Sequence, residues 1–238
     1  MNFAHRGSLT EAPENTISAI KKALEHGAKG IELDVQLTKD QELVIIHDHK
    51  FNRISPGVPG KVNDYTLEEI QRIDVGSVFS KSFTGERLAT LDEVLDVVPR
   101  EVILNIEIKN IPLIHEGIES ILLDCLKNRN REDNVWISSF DHLALKNVQE
   151  QASHYPIGLL FYYRMLRPWD YAKQSGLEVN SIHPNEVYVD EEFVTACHAA
   201  GYKVYPYTVN KKHDYDKMIA AGVDGVFSNN PDIFGTSN

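Results

Sequence analysis

Cysteine is scarce in this chain. Of 238 residues only Cys125 and Cys197 carry thiols, both isolated in helix-like segments. That spacing excludes a disulfide framework and a thiolate zinc site, and fits a reducing compartment. Long apolar runs are also missing: no stretch approaches the length a membrane-spanning helix needs. Neither a Gly-x-Gly-x-x-Gly nor a Walker-type loop occurs, which weakens any nucleotide-binding reading. Basic residues are outnumbered, 24 Lys and Arg against 35 Asp and Glu, for a formal net charge of -11. This argues against a general nucleic-acid binder and leaves room only for a local basic pocket. No charged leader with an apolar stretch behind it precedes the apolar segment at Met1 to Ala4. The expected location is therefore the cytoplasm, or outside it for a mature form whose leader has been removed. With 42% hydrophobic and 25% charged residues, the chain can fill a large core, and one domain over 1–238 is expected.

What is present is a repeated helix-to-strand pattern. Ala23 to Gly27 leads through Gly30 to Ile31-Glu32-Leu33-Asp34, and Ala220-Ala221-Gly222 leads through Gly225 to Val226-Phe227-Ser228. Gly27, Gly201 and Gly222 stand where helices end, each ahead of a strand-like run. Such runs occur at 2–5, 30–36, 102–108, 134–139, 156–162, 180–183, 202–208 and 224–228, with helical patterns between most successive pairs. Eight alternations imply parallel strands with crossover helices. The length is near the roughly 250 residues of a (β/α)8 barrel, so the expected fold is an α/β TIM barrel.

A ninth run, Leu43 to His47, follows the second strand after only Lys39-Asp40-Gln41-Glu42. That is too short for a parallel crossover, so an antiparallel return is expected. A tip centred on Asp40-Gln41 sets His47 opposite Asp34. Residues from about 50 to 88 then read as a small insertion after the second barrel strand, with a helical pattern from Leu67 to Ile73. It is expected to cap the site and select substrate.

The charged residues on the strand-like runs carry the chemistry. Residues two apart on a strand share a face, so Glu32 and Asp34 project together, as do Asn105, Glu107 and Lys109. Solvated strand faces and a Glu107–Lys109 ion pair explain each run alone. On the inner face of one barrel, three unpaired carboxylates are costly, and a divalent cation held by Glu32, Asp34 and Glu107 is the simpler account. His5, Arg6, His47 and Lys109 around it are the parts for acid–base chemistry on an anion, with phosphate the obvious candidate. Thr16 suits a helix N-cap, while Asn15 beside it can face the site. His183, Phe140, Tyr207 and Asn210 at other strand ends are further pocket candidates. His26, His115, His142, His154, His198 and His213 read as surface residues.

These motifs, in this order and spacing, resemble the glycerophosphodiester phosphodiesterase family. The resemblance spans nearly the whole chain: Ala4-His5-Arg6-Gly7, Pro13-Glu14-Asn15-Thr16, Glu32-Leu33-Asp34-Val35-Gln36-Leu37-Thr38, His47-Asp48, Leu88-Ala89-Thr90-Leu91, Ile106-Glu107-Ile108-Lys109, Ser139-Phe140 and Tyr207-Thr208-Val209-Asn210. It implies a TIM-type barrel with a small insertion, one divalent cation (Mg2+ or Ca2+, with Mn2+ also suited), and cleavage of glycerophosphodiesters to sn-glycerol 3-phosphate and an alcohol. By motif, His5 and His47 resemble the acid–base pair, Glu32, Asp34 and Glu107 the metal ligands, and Arg6 and Lys109 the phosphate contacts. Which histidine is acid and which base is interchangeable at this level. Attack by the glycerol hydroxyl would give a cyclic phosphate, attack by water none. Two departures, Tyr207 where Trp is common and Ser228-Asn229 where Thr-Asp is common, are expected to alter the alcohol pocket and not the chemistry. A related barrel phospholipase D or lyase acting on lysophospholipids would use the same constellation with an apolar rim, which the sequence does not advertise. A phosphomonoesterase and a non-catalytic phosphate-binding module are the remaining alternatives.

Overall fold

The computed structural model describes residues 1–234. Nine strands form one sheet: β1 (Phe3–His5), β2 (Gly30–Leu37), β3 (Leu43–Ile45), β4 (Ile103–Ile108), β5 (Val135–Ser139), β6 (Ile157–Phe161), β7 (Val179–Pro184), β8 (Lys203–Val204) and β9 (Phe227–Ser228). Between them run α1 (Ile17–Glu25), α2 (Leu67–Ile70), α3 (Leu91–Val97), α4 (Ile118–Asn128), α5 (His142–Gln151), α6 (Pro168–Gln174), α7 (Glu191–Ala199) and α8 (Lys212–Ala220). No helix among the described residues is long and apolar enough to cross a membrane.

Eight of the strands are parallel neighbours in the order β8-β7-β6-β5-β4-β2-β1-β9, and β3 alone lies off this path. The sheet curls. Its two ends meet through main-chain bonds from Asp224 to Val204, Phe227 to Pro206 and Val209 to Phe227. The strand pattern of the sequence is recovered at every position, although β8 and β9 are shorter than their apolar runs. Thr16 caps α1 by accepting from the Ala19 amide, as the sequence indicates.

Alternation along the strands separates two layers of side chains. Ile31, Leu33 and Val35 of β2 and Leu104, Ile106 and Ile108 of β4 point outward and pack in the main core with the helices. The inward side is filled at its lower end by Phe3, Tyr205 and Phe227, with Trp136 packed against them. His183 stands in this aromatic layer, 5.0 Å from the Phe227 ring, and a Cβ on Gly158 would lie 2.4 Å from its imidazole. A glycine on β6 is what admits the ring.

Burial pushes His183 down to about 3, and its Nε2 pairs with Ser181 Oγ at 2.8 Å. The unfolded chain takes up a proton near pH 6.5 that the fold refuses, so this residue costs stability as pH falls from 6.5 towards 3. Between pH 7 and pH 5 the loss is about 2 kcal/mol. Urea unfolding at both pH values should show a drop smaller by about that amount in His183→Phe than in the parent.

The β2–β3 return is antiparallel, but its register differs from the expected one. Val35 faces Ile45 and Gln36 faces Val44, so the Ile46 amide, not His47, meets the Asp34 carbonyl. The tip holds three residues because Gln41 takes a left-handed conformation and Thr38 pairs with Glu42 across it. Residues 50–88 form an irregular excursion with its own small core, in which Phe51, Val62, Ile70 and Leu88 pack on Val44 and Ile46.

Candidate active site

The register of the parallel strands assembles the site. His5 lies beside Glu32, Glu32 beside Asn105, and Asp34 beside Glu107. Their inward side chains therefore stack at the C-terminal strand ends, the functional face of such sheets. Gly7 lets the chain turn after β1: its φ is +92°, and a Cβ there would meet the Ala19 backbone at 2.6 Å. Arg6 also adopts a positive φ, of 58°, a conformation uncommon for a non-glycine residue, which argues that its placement matters.

Glu32, Asp34 and Glu107 are all buried, each offering a carboxylate oxygen within 4.8 Å of the others. Arg6 pairs with Asp34 at 3.2 Å, and Lys109 reaches Glu107 at 2.7 Å and Asp34 at 3.8 Å. Burial first, then Asp34 and Glu107, raises Glu32 well above the usual carboxylate range. Burial also raises Glu107, with Lys109 opposing. At Asp34 burial is outweighed by Arg6, His47 and Lys109, which hold it below that range. Glu32 Oε1 and Asp34 Oδ1 are buried without a hydrogen-bond partner. Two orphaned carboxylate oxygens within a triad of oxygen donors fit a hard divalent cation, so the residues present suit the implied metal.

The two histidines are held differently. His5 Nδ1 donates to Asn229 Oδ1 at 2.5 Å, leaving Nε2 3.8 Å from Glu32. Burial, reinforced by Arg6, pushes His5 down to about 3. His47 Nδ1 donates to Asp48 at 2.6 Å. Gln36, fully buried, donates to the carbonyls of Ile46, His47 and Asp48 at 2.9, 3.1 and 3.1 Å. That grip turns the chain after β3 and carries His47 to the carboxylates despite the shifted register. Asp48 is held in turn by Arg53 at 2.8 Å, and Glu14 joins Arg53 to Arg6. Hydrogen bonds from His47 and Arg53 keep Asp48 well below the usual carboxylate range against the opposing effect of burial.

The site opens into a cavity of about 730 Å3 lined by His5, Arg6, Glu32, His47, Glu107 and Lys109, among others. Phe140 and Tyr207 line it too, with their rings 5.8 Å apart edge to face and Lys109 5.6 Å from Phe140. Three sequence candidates sit elsewhere. Asn15 is buried behind the carboxylates, donating to Asp34 at 3.0 Å, and does not line the cavity. His183 is in the aromatic layer beneath it, because inward positions low on the strands fill the interior. Asn210 stands behind Asn229, accepting from its amide at 2.9 Å. No residue of 50–88 lines the cavity; Arg53 alone reaches the site, through Asp48 and Glu14. His115 and His142, read as surface residues, are largely enclosed: His115 faces Gln36 at 3.3 Å, and His142 lines the cavity. The Ser228-Asn229 departure touches the chemistry directly, contrary to the sequence expectation, since Asn229 is the partner of His5. Only the return of the last strand to the first shows this pairing.

Strand order, curl and the acidic site at the C-terminal strand ends define an α/β protein of the TIM-barrel type. The model of the glycerophosphoryl diester phosphodiesterase family matches residues 5–233, and the chain belongs to that family. It is 45% identical to a glycerophosphodiester phosphodiesterase of Caldanaerobacter subterraneus subsp. tengcongensis, over 97% of this chain and 94% of the relative. It is 38% identical to one of Bacillus altitudinis, over 97% and 94%. Among solved structures, an Oleispira antarctica phosphodiesterase in complex with the product sn-glycerol-3-phosphate superposes with a TM-score of 0.88 at 29% identity, covering 97% of this chain and 93% of that one.

Proposed function

We propose that this chain hydrolyses glycerophosphodiesters to sn-glycerol 3-phosphate and an alcohol. The observation that carries this reading is the buried Glu32–Asp34–Glu107 triad facing two imidazoles and two cations in one cavity. Glu32, Asp34 and Glu107 would hold one divalent cation, with Mg2+, Ca2+ and Mn2+ all suited to oxygen donors. When bound, it supplies charge neutralisation at the phosphodiester. Arg6 and Lys109 bind the non-bridging phosphate oxygens and stabilise the charge that builds on them.

The two imidazoles divide the proton transfers by their partners. Asn229 gives His5 a neutral amide oxygen, which fixes the Nδ1–H tautomer and leaves Nε2 as the acceptor of a proton from water or the glycerol hydroxyl. Asp48 accepts the Nδ1 hydrogen of His47, which leaves Nε2 as the atom that donates to the leaving alcohol. His5 is thus the base and His47 the acid. Asn15 orients Asp34, while Phe140 and Tyr207 border the substrate. We infer one closed (β/α)8 domain over 1–238. Its 50–88 insertion buttresses His47 through Arg53 and does not roof the cavity. The free thiols Cys125 and Cys197 support a cytoplasmic setting.

The test is release of sn-glycerol 3-phosphate from glycerophosphocholine and glycerophosphoethanolamine. Cleavage of either diester, with no phosphate released from glycerol 3-phosphate, supports the reading. Release of inorganic phosphate from the monoester makes the protein a phosphomonoesterase. Binding of a diester without turnover makes it a binding module.

A further inference from the structure

The cavity has two unlike halves. Its charged half belongs to β1, β2, β4 and the turn after β3. Its other half follows β5 and β6, where Phe140, Leu160, Phe161, Tyr162, Tyr163 and Met165 form the wall. That wall presents carbon. Tyr207 Oη donates to the Phe161 carbonyl at 2.9 Å, and Tyr171 Oη bonds His142 Nδ1 at 2.8 Å, so both polar tips are held within it. The rings interlock edge to face, Phe161 with His142 at 5.2 Å and with Tyr171 at 5.9 Å, giving a preformed surface.

The apolar surface continues past the mouth. Tyr163 is 78% and Leu166 90% exposed, with Tyr162 and Met165 exposed beside them on the same loop. Arg164 and Arg167 interrupt these apolar residues, in a protein whose net charge is -11. A continuous apolar path from a reactive centre to solvent marks an apolar ligand more than a solvated one. A compact diester of glycerol and a small alcohol uses the charged half together with Phe140 and Tyr207, which border it. It would leave a wall of aromatic and aliphatic carbon facing water.

We propose that the preferred substrate carries one aliphatic chain: a lysoglycerophospholipid whose phosphodiester seats on the charged half. Its acyl chain lies along Phe161 and Tyr162 and leaves over Tyr163 and Met165. The inference rests on the diesterase reading above and names its substrate class. In the reaction the oxygen of water bonds to phosphorus and the bond from phosphorus to the headgroup oxygen breaks. The headgroup alcohol departs with a proton from water, leaving a monoacylglycerol 3-phosphate.

The experiment measures choline release, which reports the same bond in both substrate types. Glycerophosphocholine is compared with its hexanoyl, octanoyl and decanoyl monoesters, all kept below their micelle concentrations. Each methylene buried on the wall is expected to raise kcat/KM up to about fourfold, with at least about tenfold between glycerophosphocholine and the decanoyl ester. The double variant Tyr163→Ser with Met165→Ser should lower the ratio of the decanoyl to the glycerophosphocholine value. A flat or falling chain-length series, or a ratio unmoved by the double variant, overturns the inference while leaving the diesterase reading intact. Absence of choline release from every substrate overturns both.

Discussion

Glu107→Ala is expected to lower glycerol 3-phosphate release at least about 100-fold, the scale on which one charge-stabilising group is lost. The same variant should fail to regain activity when Mg2+ or Ca2+ is added back after chelation, whereas the parent should regain it fully. The reason lies in the triad. Glu107 is one of three donors within 4.8 Å, and two of the oxygens beside it have no hydrogen-bond partner. Removing it leaves Glu32 and Asp34 to hold a cation alone and frees Lys109 from its 2.7 Å contact. Thermal unfolding gives an independent readout. A ligand that binds only the native state stabilises by mass action, so the ion should raise the Tm of the chelator-treated parent and not that of the variant. Full activity of the parent in excess chelator would sink the metal assignment.

The second large effect separates the two histidines. His5→Ala and His47→Ala should each lower kcat/KM by about 100- to 10,000-fold on glycerophosphocholine, the range for a positioned general acid or base. A diester whose leaving group is an acidic phenol needs no protonation. His47→Ala should therefore recover most of its activity on that substrate, and His5→Ala should not. Rescue of His5→Ala instead would reverse the assignment. Asn229→Ala should lower kcat with little change in KM, because it orients His5 without facing the cavity. In the parent the pH profile should be bell-shaped, and a flat profile through neutral pH would remove the two-histidine scheme.

Much of this site was legible in the sequence because strand alternation is a local rule. Glu32 with Asp34, and Glu107 with Lys109, share faces by spacing alone, and the register that aligns Asp34 with Glu107 follows once β2 and β4 are neighbours. Thr16 as a cap and the antiparallel return after β2 were equally local. Depth along a strand was not. His183 and the triad both stand on inward positions, and only the packed interior decides that His183 fills the aromatic layer while Glu32 and Glu107 meet the cavity.

Long-range partners lay further out of reach. Asn229 meets His5 across 224 positions of chain, and Gln36 sets His47 by gripping three carbonyls. The one-residue error in the hairpin arose because Gln41 adopts a left-handed conformation that its side chain does not advertise. The apolar wall was equally hidden, since Phe140, Leu160 and Tyr207 come from separate strand ends that converge only when the sheet curls. By itself the sequence determined the repeating α/β architecture, the acidic triad and the charged groups around it, since periodicity and residue chemistry are carried by neighbours. Tertiary structure alone decided which partner orients each imidazole and what the far side of the cavity presents to a substrate, since those contacts join residues that are distant along the chain.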